Sequence, residues 1–462
     1  MENALKEQAA QEKKLKTMTE TPVKKLILKL AFPTMVSMMI TSVYNMADTY
    51  FVAHIGQDAA ATSATAAVGI AFPLMAVIQA FGFMFGHGSG NFISRALGRK
   101  DMKDAEAMAA TGFFSALFAG CMICLTGLLF LTPLVRLLGA TKTIEPYAVE
   151  YVRFILIGAP WMTASLVLNN QLRFQGNAMF AMIGIGTGGL LNIALDPLFI
   201  FVFGMGISGA ALATIISQLV SFALLFLGTR KSDNLNIRLR NFSPNGRYYL
   251  EILKGGSPSL FRQGIGSVST ACLNIACGAF GDPAIAAMSI VSRVMTFAAS
   301  LVIGFGQGFQ PVCGFNYGAK KYGRVREGYA FCVKYSTIFL LFASAALIAF
   351  APTVMTLFRA DDAAVVKTGA LALRLQAVTL PLIGMITIAN MMMQTLAQTM
   401  RASLVALARQ GIFFIPLILL LPVFFGLLGV QLAQPISDVL SFALAFLLQR
   451  GLLRKIRDLG NH

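Results

Sequence analysis

The chain has 462 residues, 56% of them hydrophobic and only 12% charged, with a mean hydropathy of +0.71. A soluble core has no use for so much apolar surface, so a water-soluble globular protein is excluded. The formal charge of +17 does not point to nucleic acid, because the cations fall in short segments between apolar runs, as topology signals do in polytopic membrane proteins.

In chain order, a polar N-terminal tail over 1–25 comes first, with residues 1–16 read as a short amphipathic or disordered lead. No cleavable signal peptide is expected, since that needs an apolar stretch of about 7–15 residues near the start. Apolar runs follow, each long enough for a hydrocarbon core of about 30 Å. Six of them (26–52, 60–88, 107–131, 147–170, 178–203 and 207–228) precede a polar linker over 229–247, and six (248–279, 284–310, 328–351, 367–393, 403–424 and 429–450) follow it, before a tail over 451–462. The pattern predicts an all-α polytopic membrane protein: twelve transmembrane helices in two pseudo-symmetric six-helix lobes, an N-lobe over 26–228 and a C-lobe over 248–450.

Twelve crossings put both termini on one side. Lys and Arg concentrate in the N-terminal tail (Lys6, Lys13, Lys14, Lys16, Lys24, Lys25), the second-to-third connection (Arg95, Arg99, Lys100, Lys103) and the linker (Arg230, Lys231, Arg238, Arg240, Arg247). They recur in the eighth-to-ninth connection (Lys320, Lys321, Arg324, Arg326) and the C-terminal tail (Arg450, Arg454, Lys455, Arg457). All of these fall on one face of a twelve-helix topology, which the positive-inside rule makes cytoplasmic.

The two halves repeat at a spacing of about 220 residues. Phe85-Gly86-His87-Gly88 is answered by Phe305-Gly306-Gln307-Gly308, and Ser217–Leu227 by Ser437–Leu447. Ile27-Leu28-Lys29 with Pro33 is answered by Ile252-Leu253-Lys254 with Pro258, and Pro160 by Pro381. Duplicated halves with matched proline interruptions suggest a transporter whose bendable helices surround a central site. Pro33, Pro197 and Pro258 are the expected bending points. Tyr44, Asn45, Gln263 and Gln307 are expected to line the substrate cavity.

Ionisable groups at membrane depth are costly and mark function. Asp48 lies roughly 8 Å below the outer end of the first span and Asp196 roughly 10 Å below that of the fifth, at a rise of about 1.5 Å per residue. Asn192 sits one turn from Asp196 on the same face, and Thr214 in the sixth span is at similar depth. Two carboxylates, an amide and a hydroxyl can hold Na+ in oxygen ligands or share a proton. The same groups could also form a purely structural hydrogen-bonded knot. The second half has no acid to match: Leu273 aligns with Asp48 and Pro416 with Asp196. Its deep acid is Asp438, for which Arg262, Arg293 and Arg374 are the candidate partners. Cys121, Cys124, Cys272, Cys277, Cys313 and Cys332 read as small packing residues, and His54, His87 and His462 form no metal-ligand spacing.

Asp48-Thr-Tyr-Phe-Val-Ala-His-Ile-Gly56 resembles the end-of-first-helix signature of the multidrug and toxic compound extrusion (MATE) family. Gly314-Phe-Asn-Tyr-Gly-Ala-Lys320 and Arg95-Ala-Leu-Gly-Arg-Lys100 resemble its paired cytoplasmic loop motifs. The likeness runs from about residue 22 to 455 and is strongest to the bacterial branch that includes the staphylococcal-type multidrug export proteins. It implies export of organic, often cationic, drugs by antiport with Na+ or H+ through alternating access. Asn192, Asp196 and Thr214 match the family's N-lobe cation set in spacing. Some members carry a Glu in helix 7 and an Asp in helix 10; here Gln263 stands in the first region and the tenth span has no acid, so no C-lobe sodium site is expected. The implied protein is a monomer of the bacterial inner membrane with both termini cytoplasmic, without a cofactor beyond its coupling ion and without enzymatic activity. Two rivals are a lipid-linked saccharide flippase of a related two-lobed fold and an intramembrane protease using Asp48 and Asp196.

Overall fold

The computed structural model describes residues 2–53, 55, 59–230, 234–358 and 362–460. His54, Gly56, Lys231 and His462 of the sequence reading lie outside these. The described residues form helices joined by short connections, without a strand. The helices are α1 (Glu2–Glu20), α2 (Val23–Ala53), α3 (Ala59–Gly98), α4 (Met102–Leu129), α5 (Leu131–Leu137), α6 (Glu145–Phe174), α7 (Ala178–Pro197) and α8 (Gly206–Thr229). They continue as α9 (Gly246–Gly278), α10 (Asp282–Gly318), α11 (Tyr322–Phe358), α12 (Ala363–Thr395), α13 (Thr399–Leu407), α14 (Phe414–Phe425) and α15 (Leu427–Gly460). Two π-turns interrupt the series, Leu198–Val202 directly after α7 and Ala408–Ile412 between α13 and α14. The fifth and eleventh spans are therefore each a helix broken by one π-turn.

Eleven of these segments are long and apolar enough to cross a membrane. The twelfth expected span, α9, has the length, 33 residues, but carries Arg262, Gln263, Ser267, Ser269, Thr270 and Asn274 through its middle. Several helices outrun the apolar runs that announced them. α3 continues to Gly98, α10 to Gly318 and α15 to Gly460, because a formed helix goes on satisfying its own backbone after the hydrophobic stretch ends. The segment expected as a C-terminal tail is thus helical up to Gly460. The N-terminal lead is also a helix: α1 buries Met18 and Thr19, and Lys14 Nζ donates to Asn234 Oδ1 at 3.2 Å.

The chain forms two compact units. Unit 1 is Met1–Thr21 with Val36–Leu260; unit 2 is Pro22–Met35 with Phe261–His462. Their boundaries fall inside α2 and α9 rather than in the linker. In each of these helices the proline, Pro33 or Pro258, lies two residues before the boundary.

The repeated glycine motif explains how each unit seats its borrowed segment. In unit 1, a Cβ on Gly88 of α3 would collide with the backbone of Ile252 in α9, and one on Gly256 of α9 would stand 3.0 Å from Met84 Cα. In unit 2, a Cβ on Gly308 of α10 would stand 2.5 Å from Ala31 Cα, and one on Gly304 would stand 2.8 Å from Met35 Cα. Small residues let helix backbones touch. The hydroxyl after each proline then ties the seat: Thr34 Oγ1 donates to the Gly304 carbonyl at 2.6 Å, and Ser259 Oγ lies 3.2 Å from His87 Nδ1. Each unit also has its own apolar core. Ile78, Val152 and Ile155 belong to one cluster in unit 1 and Phe113, Leu168 and Leu225 to another, while Met288, Val291, Leu373 and Ile418 belong to the core of unit 2.

The repeat extends to helix ends. α6 stops at a left-handed Gly176 (φ +85°) and α12 at a left-handed Ala397 (φ +55°). The following amides reach back in the same way, Asn177 N to Leu172 O at 2.9 Å and Gln398 N to Met393 O at 2.8 Å. This is the six-residue closure of a Schellman cap, which favours glycine at the left-handed position. An alanine there carries a steric cost of roughly 1–2 kcal/mol. Ala397→Gly should therefore raise the melting temperature of the detergent-solubilised protein, whereas Gly176→Ala should lower it.

Candidate functional site

Two stripes of side chains bring the acidic residues of unit 1 together. On α2, Ile40, Tyr44 and Asp48 recur every fourth residue and share a face. On α7, Gly186, Gly189, Asn192 and Asp196 form the opposing stripe. A Cβ on Gly186 would lie 3.2 Å from Ile40 Cδ1, and one on Gly189 would lie 3.0 Å from Ile40 Cγ2 and 3.1 Å from Tyr44 Cδ1. The glycines remove the side chains that would hold the helices apart, and the polar pairs one and two turns further on inherit the close approach. α7 is similarly close to α8, where Gly188 faces Ser221 and Gly184 faces Leu225.

Asp196 is wholly buried and Asn192 nearly so. Asn192 Nδ2 donates to Asp196 Oδ1 at 3.2 Å, and Asp196 lies within electrostatic range of Asp48. Thr214 is buried, and its hydroxyl donates to the Ala210 carbonyl at 3.0 Å rather than to a carboxylate. Among the described residues, three buried acceptors in this group have no donor: Asp48 Oδ1, Asn192 Oδ1 and Asp196 Oδ2. Buried acceptors without donors cost free energy, and two carboxylates near one another in a low dielectric cost more. One Na+ relieves both, because hard cations take carboxylate and carbonyl oxygens. One proton on the pair relieves the repulsion and turns an acceptor into a donor. Among the described residues no three His, Cys, Asp or Glu side chains come together as a metal set, so the group suits a hard monovalent cation better than a transition metal.

A π-turn follows Asp196 directly after α7. Pro197 has no amide hydrogen, and the helix resumes beyond it with the wider turn, closed by Phe203 N donating to Leu198 O at 2.9 Å. π-turns of this kind are frequent at functional sites. Gly209 of α8 seals it from outside, since a Cβ there would stand 2.8 Å from the Phe199 carbonyl carbon. Tyr151 is a member that the sequence reading missed. It lies six residues into α6, is buried, and is within electrostatic range of Asp48, Asp196 and Tyr44. Counting residues from the same end of each span would have found it, because that depth matches Asp48 and Asp196.

The expected cavity residues divide between the units. Tyr44 is half-buried against Gly189 and Asn45 is exposed, both in unit 1; Gln263 is half-buried and Gln307 buried, both in unit 2. Asp438 requires a correction. None of Arg262, Arg293 and Arg374 pairs with it. Its partner is Arg409, whose Nε donates to Asp438 Oδ1 at 2.7 Å. Arg374 instead donates to the Ile348 carbonyl at 3.2 Å. The sequence reading passed over Arg409 because only the π-turn at Ala408–Ile412 rotates it toward α15.

The MatE family model matches residues 33–198 and 258–420. The chain belongs to the MatE family. It is 28% identical over 437 residues to the multidrug export protein MepA of Staphylococcus aureus, which spans 94% of this chain and 95% of that protein. Among solved structures it is similar to an outward-facing multidrug resistance MATE family transporter of the MOP superfamily, with a TM-score of 0.89 and 27% identity over 96% of this chain and 98% of that one. It is also similar to a MATE structure in a bent conformation, with a TM-score of 0.88 and 27% identity over 97% and 99%. A MatE protein of this two-lobed, multi-pass helical fold is a transporter and not an enzyme; the intramembrane protease reading is discarded.

The Asn192–Asp196 bond carries a stability prediction. Asn192→Leu leaves a buried carboxylate oxygen without its donor, which costs about 1–3 kcal/mol. The purified variant should melt at a lower temperature than the parent; an unchanged melting temperature would show that the bond contributes nothing.

Proposed function

We propose that this MatE protein is a multidrug exporter of the bacterial cytoplasmic membrane, acting as a monomer with both termini inside, and that it expels organic, often cationic, compounds in exchange for entering Na+ or H+. The observation that carries the reading is the set of buried oxygens on Asp48, Asn192 and Asp196 that have no donor among the described residues, held together by the α2–α7 glycine contact. A cation entering this group neutralises a carboxylate and draws the α2 and α7 stripes onto a shared ligand. Its departure restores the repulsion between Asp48 and Asp196. Drug release and ion entry are coupled if the two packings of α2 differ in drug affinity. The relatives' names, multidrug export protein and multidrug resistance transporter, support drugs as the cargo.

The driving force is adequate. Moving one charge inward yields about 2.3 kcal/mol per 100 mV, and at about 1.4 kcal/mol per tenfold this sustains roughly a fiftyfold concentration ratio for an exchanged neutral solute. Pro33, Pro197 and Pro258 supply the points where α2, the fifth span and α9 can bend, since each removes an intrahelical hydrogen bond.

Two measurements test the proposal. Asp48→Asn and Asp196→Asn should insert normally yet lose at least about tenfold of gradient-driven dye export in proteoliposomes, under whichever of separately imposed Na+ and H+ gradients drives the parent; full export by both variants would refute the coupling role. In a cysteine-free background, Gly246→Cys should react with a membrane-impermeant maleimide only from the cytoplasmic side and Thr141→Cys only from the outside. The reverse pattern would invert the topology.

A further inference from the structure

The polar linker is fastened along the outer flank of α4. The charged start of that helix, with Lys103, Asp104 and Glu106, gives way to apolar sequence at Ala107, the level at which lipid headgroups meet hydrocarbon. Thr111, Phe114, Phe118, Met122 and Leu125 follow at intervals of three or four and share one face. Phe118, Met122 and Leu125 are exposed on it, as apolar side chains packed only by lipid tails are. Thr111 and Phe114 continue the same stripe but are covered by the linker. The Phe242 ring meets that of Phe114 edge-on, with centroids 5.9 Å apart. Ser243 is tied twice: its carbonyl accepts from Thr111 Oγ1 at 3.1 Å, and its amide donates back to the same oxygen at 3.2 Å. Asn241 Nδ2 donates to Glu106 Oε2 at 3.1 Å. The segment thus occupies a strip of α4 that lipid would otherwise cover, beginning at the headgroup level.

At that level the linker makes a single 3-10 turn, Leu239–Asn241. It is closed by Asn241 N donating to Arg238 O and Phe242 N donating to Leu239 O, each at 3.0 Å. Leu239 is 69% exposed, and Arg238 and Arg240 on either side of it are exposed as well. Neither guanidinium bonds a described residue. The acids at the start of α4 are engaged elsewhere: Glu106 accepts from Asn241, and Asp104 accepts from Arg247 Nη2 at 2.7 Å and Tyr248 Oη at 2.8 Å. The turn therefore presents two cations and a large apolar side chain between them, on a backbone fixed to the span.

We propose that this turn is a seat for an acidic phospholipid of the leaflet that bounds the Lys- and Arg-rich face, with the phosphate between Arg238 and Arg240 and the acyl chains against Leu239 and the α4 stripe. Guanidinium groups offer paired N–H donors that match phosphate oxygens, and acidic lipids draw cations placed beside the membrane. Leu239 and the lipid-facing stripe select a lipid over a soluble anion, because a free phosphate gains nothing from exposed apolar surface while an acyl chain buries it. The ties to α4 hold the turn in its bound form beforehand, which lowers the ordering cost of binding.

Native mass spectrometry tests the seat. The purified full-length chain is delipidated in detergent and offered equal amounts of phosphatidylglycerol and phosphatidylcholine with identical chains. The first bound lipid should be phosphatidylglycerol at least about fivefold more often than phosphatidylcholine. Arg238→Gln with Arg240→Gln should cut that preference at least about threefold, whereas Arg450→Gln with Arg454→Gln, which removes the same charge from exposed positions of α15, should leave it within about 1.5-fold. Leu239→Asn keeps both charges and every tie. It should lower phosphatidylglycerol occupancy at least about twofold, and it decides the matter should the double variant not fold. No preference in the parent overturns the seat. So does an equal loss from the α15 variant, which would mean a diffuse field of charge, and so does displacement of the lipid by inorganic phosphate, which would mean a site for soluble anions.

Discussion

A polar atom at bilayer depth must find its partner inside the protein, and the two units meet that constraint in opposite ways. Unit 2 satisfies Asp438 Oδ1 with donors from Arg409 and Gln434 and leaves the terminal nitrogens of Arg409 without an acceptor among the described residues. Among the described residues, unit 1 gives Asp196 a single donor and leaves oxygens of Asp48, Asn192 and Asp196 without any. The first arrangement is short of an acceptor and the second of a positive charge. Two halves that share a fold by duplication have thus diverged in the chemistry of their buried polar groups.

The geometry that makes either arrangement possible is backbone contact through glycine. Gly186 and Gly189 let α2 approach α7, and Gly88, Gly256, Gly304 and Gly308 let borrowed segments sit against α3 and α10. Close helix packing by small residues does not by itself imply motion. Here, however, two such contacts lie beside a proline and a hydroxyl tie, Thr34 with Gly304 and Ser259 with His87.

Much of this was legible in the sequence. The apolar runs locate the helices, and the repeat announces the duplicated fold. The depth of Asp48, Asn192, Asp196 and Thr214 singles them out because charge in an apolar run is costly. What the sequence concealed depended on angular position around a helix. Hydropathy cannot tell that a π-turn swings Arg409 toward Asp438, so Arg262, Arg293 and Arg374 looked like equal or better partners. Tyr151 was overlooked because a tyrosine near a helix end reads as an interfacial residue until its burial is known. The polarity that makes α9 weak as a membrane span is the same polarity that presents Ser269 to the π-turn. Helix ends were misjudged for another reason: capping geometry at Lys100, Lys320 and Ala397, rather than the end of apolar sequence, decides where α3, α10 and α12 stop.

The exchange of segments within α2 and α9 also bears on how the chain can be divided. A cut in the 229–247 linker looks like the natural place to separate two halves. Yet a fragment ending there would keep Pro22–Met35, which belongs to unit 2, and would lack the start of α9, which belongs to unit 1. Neither fragment contains a whole unit, so each would present an unfilled glycine face until the other was made in the same membrane. The duplicated gene behind this fold therefore encodes halves that can be severed in sequence but remain obligate partners in folding.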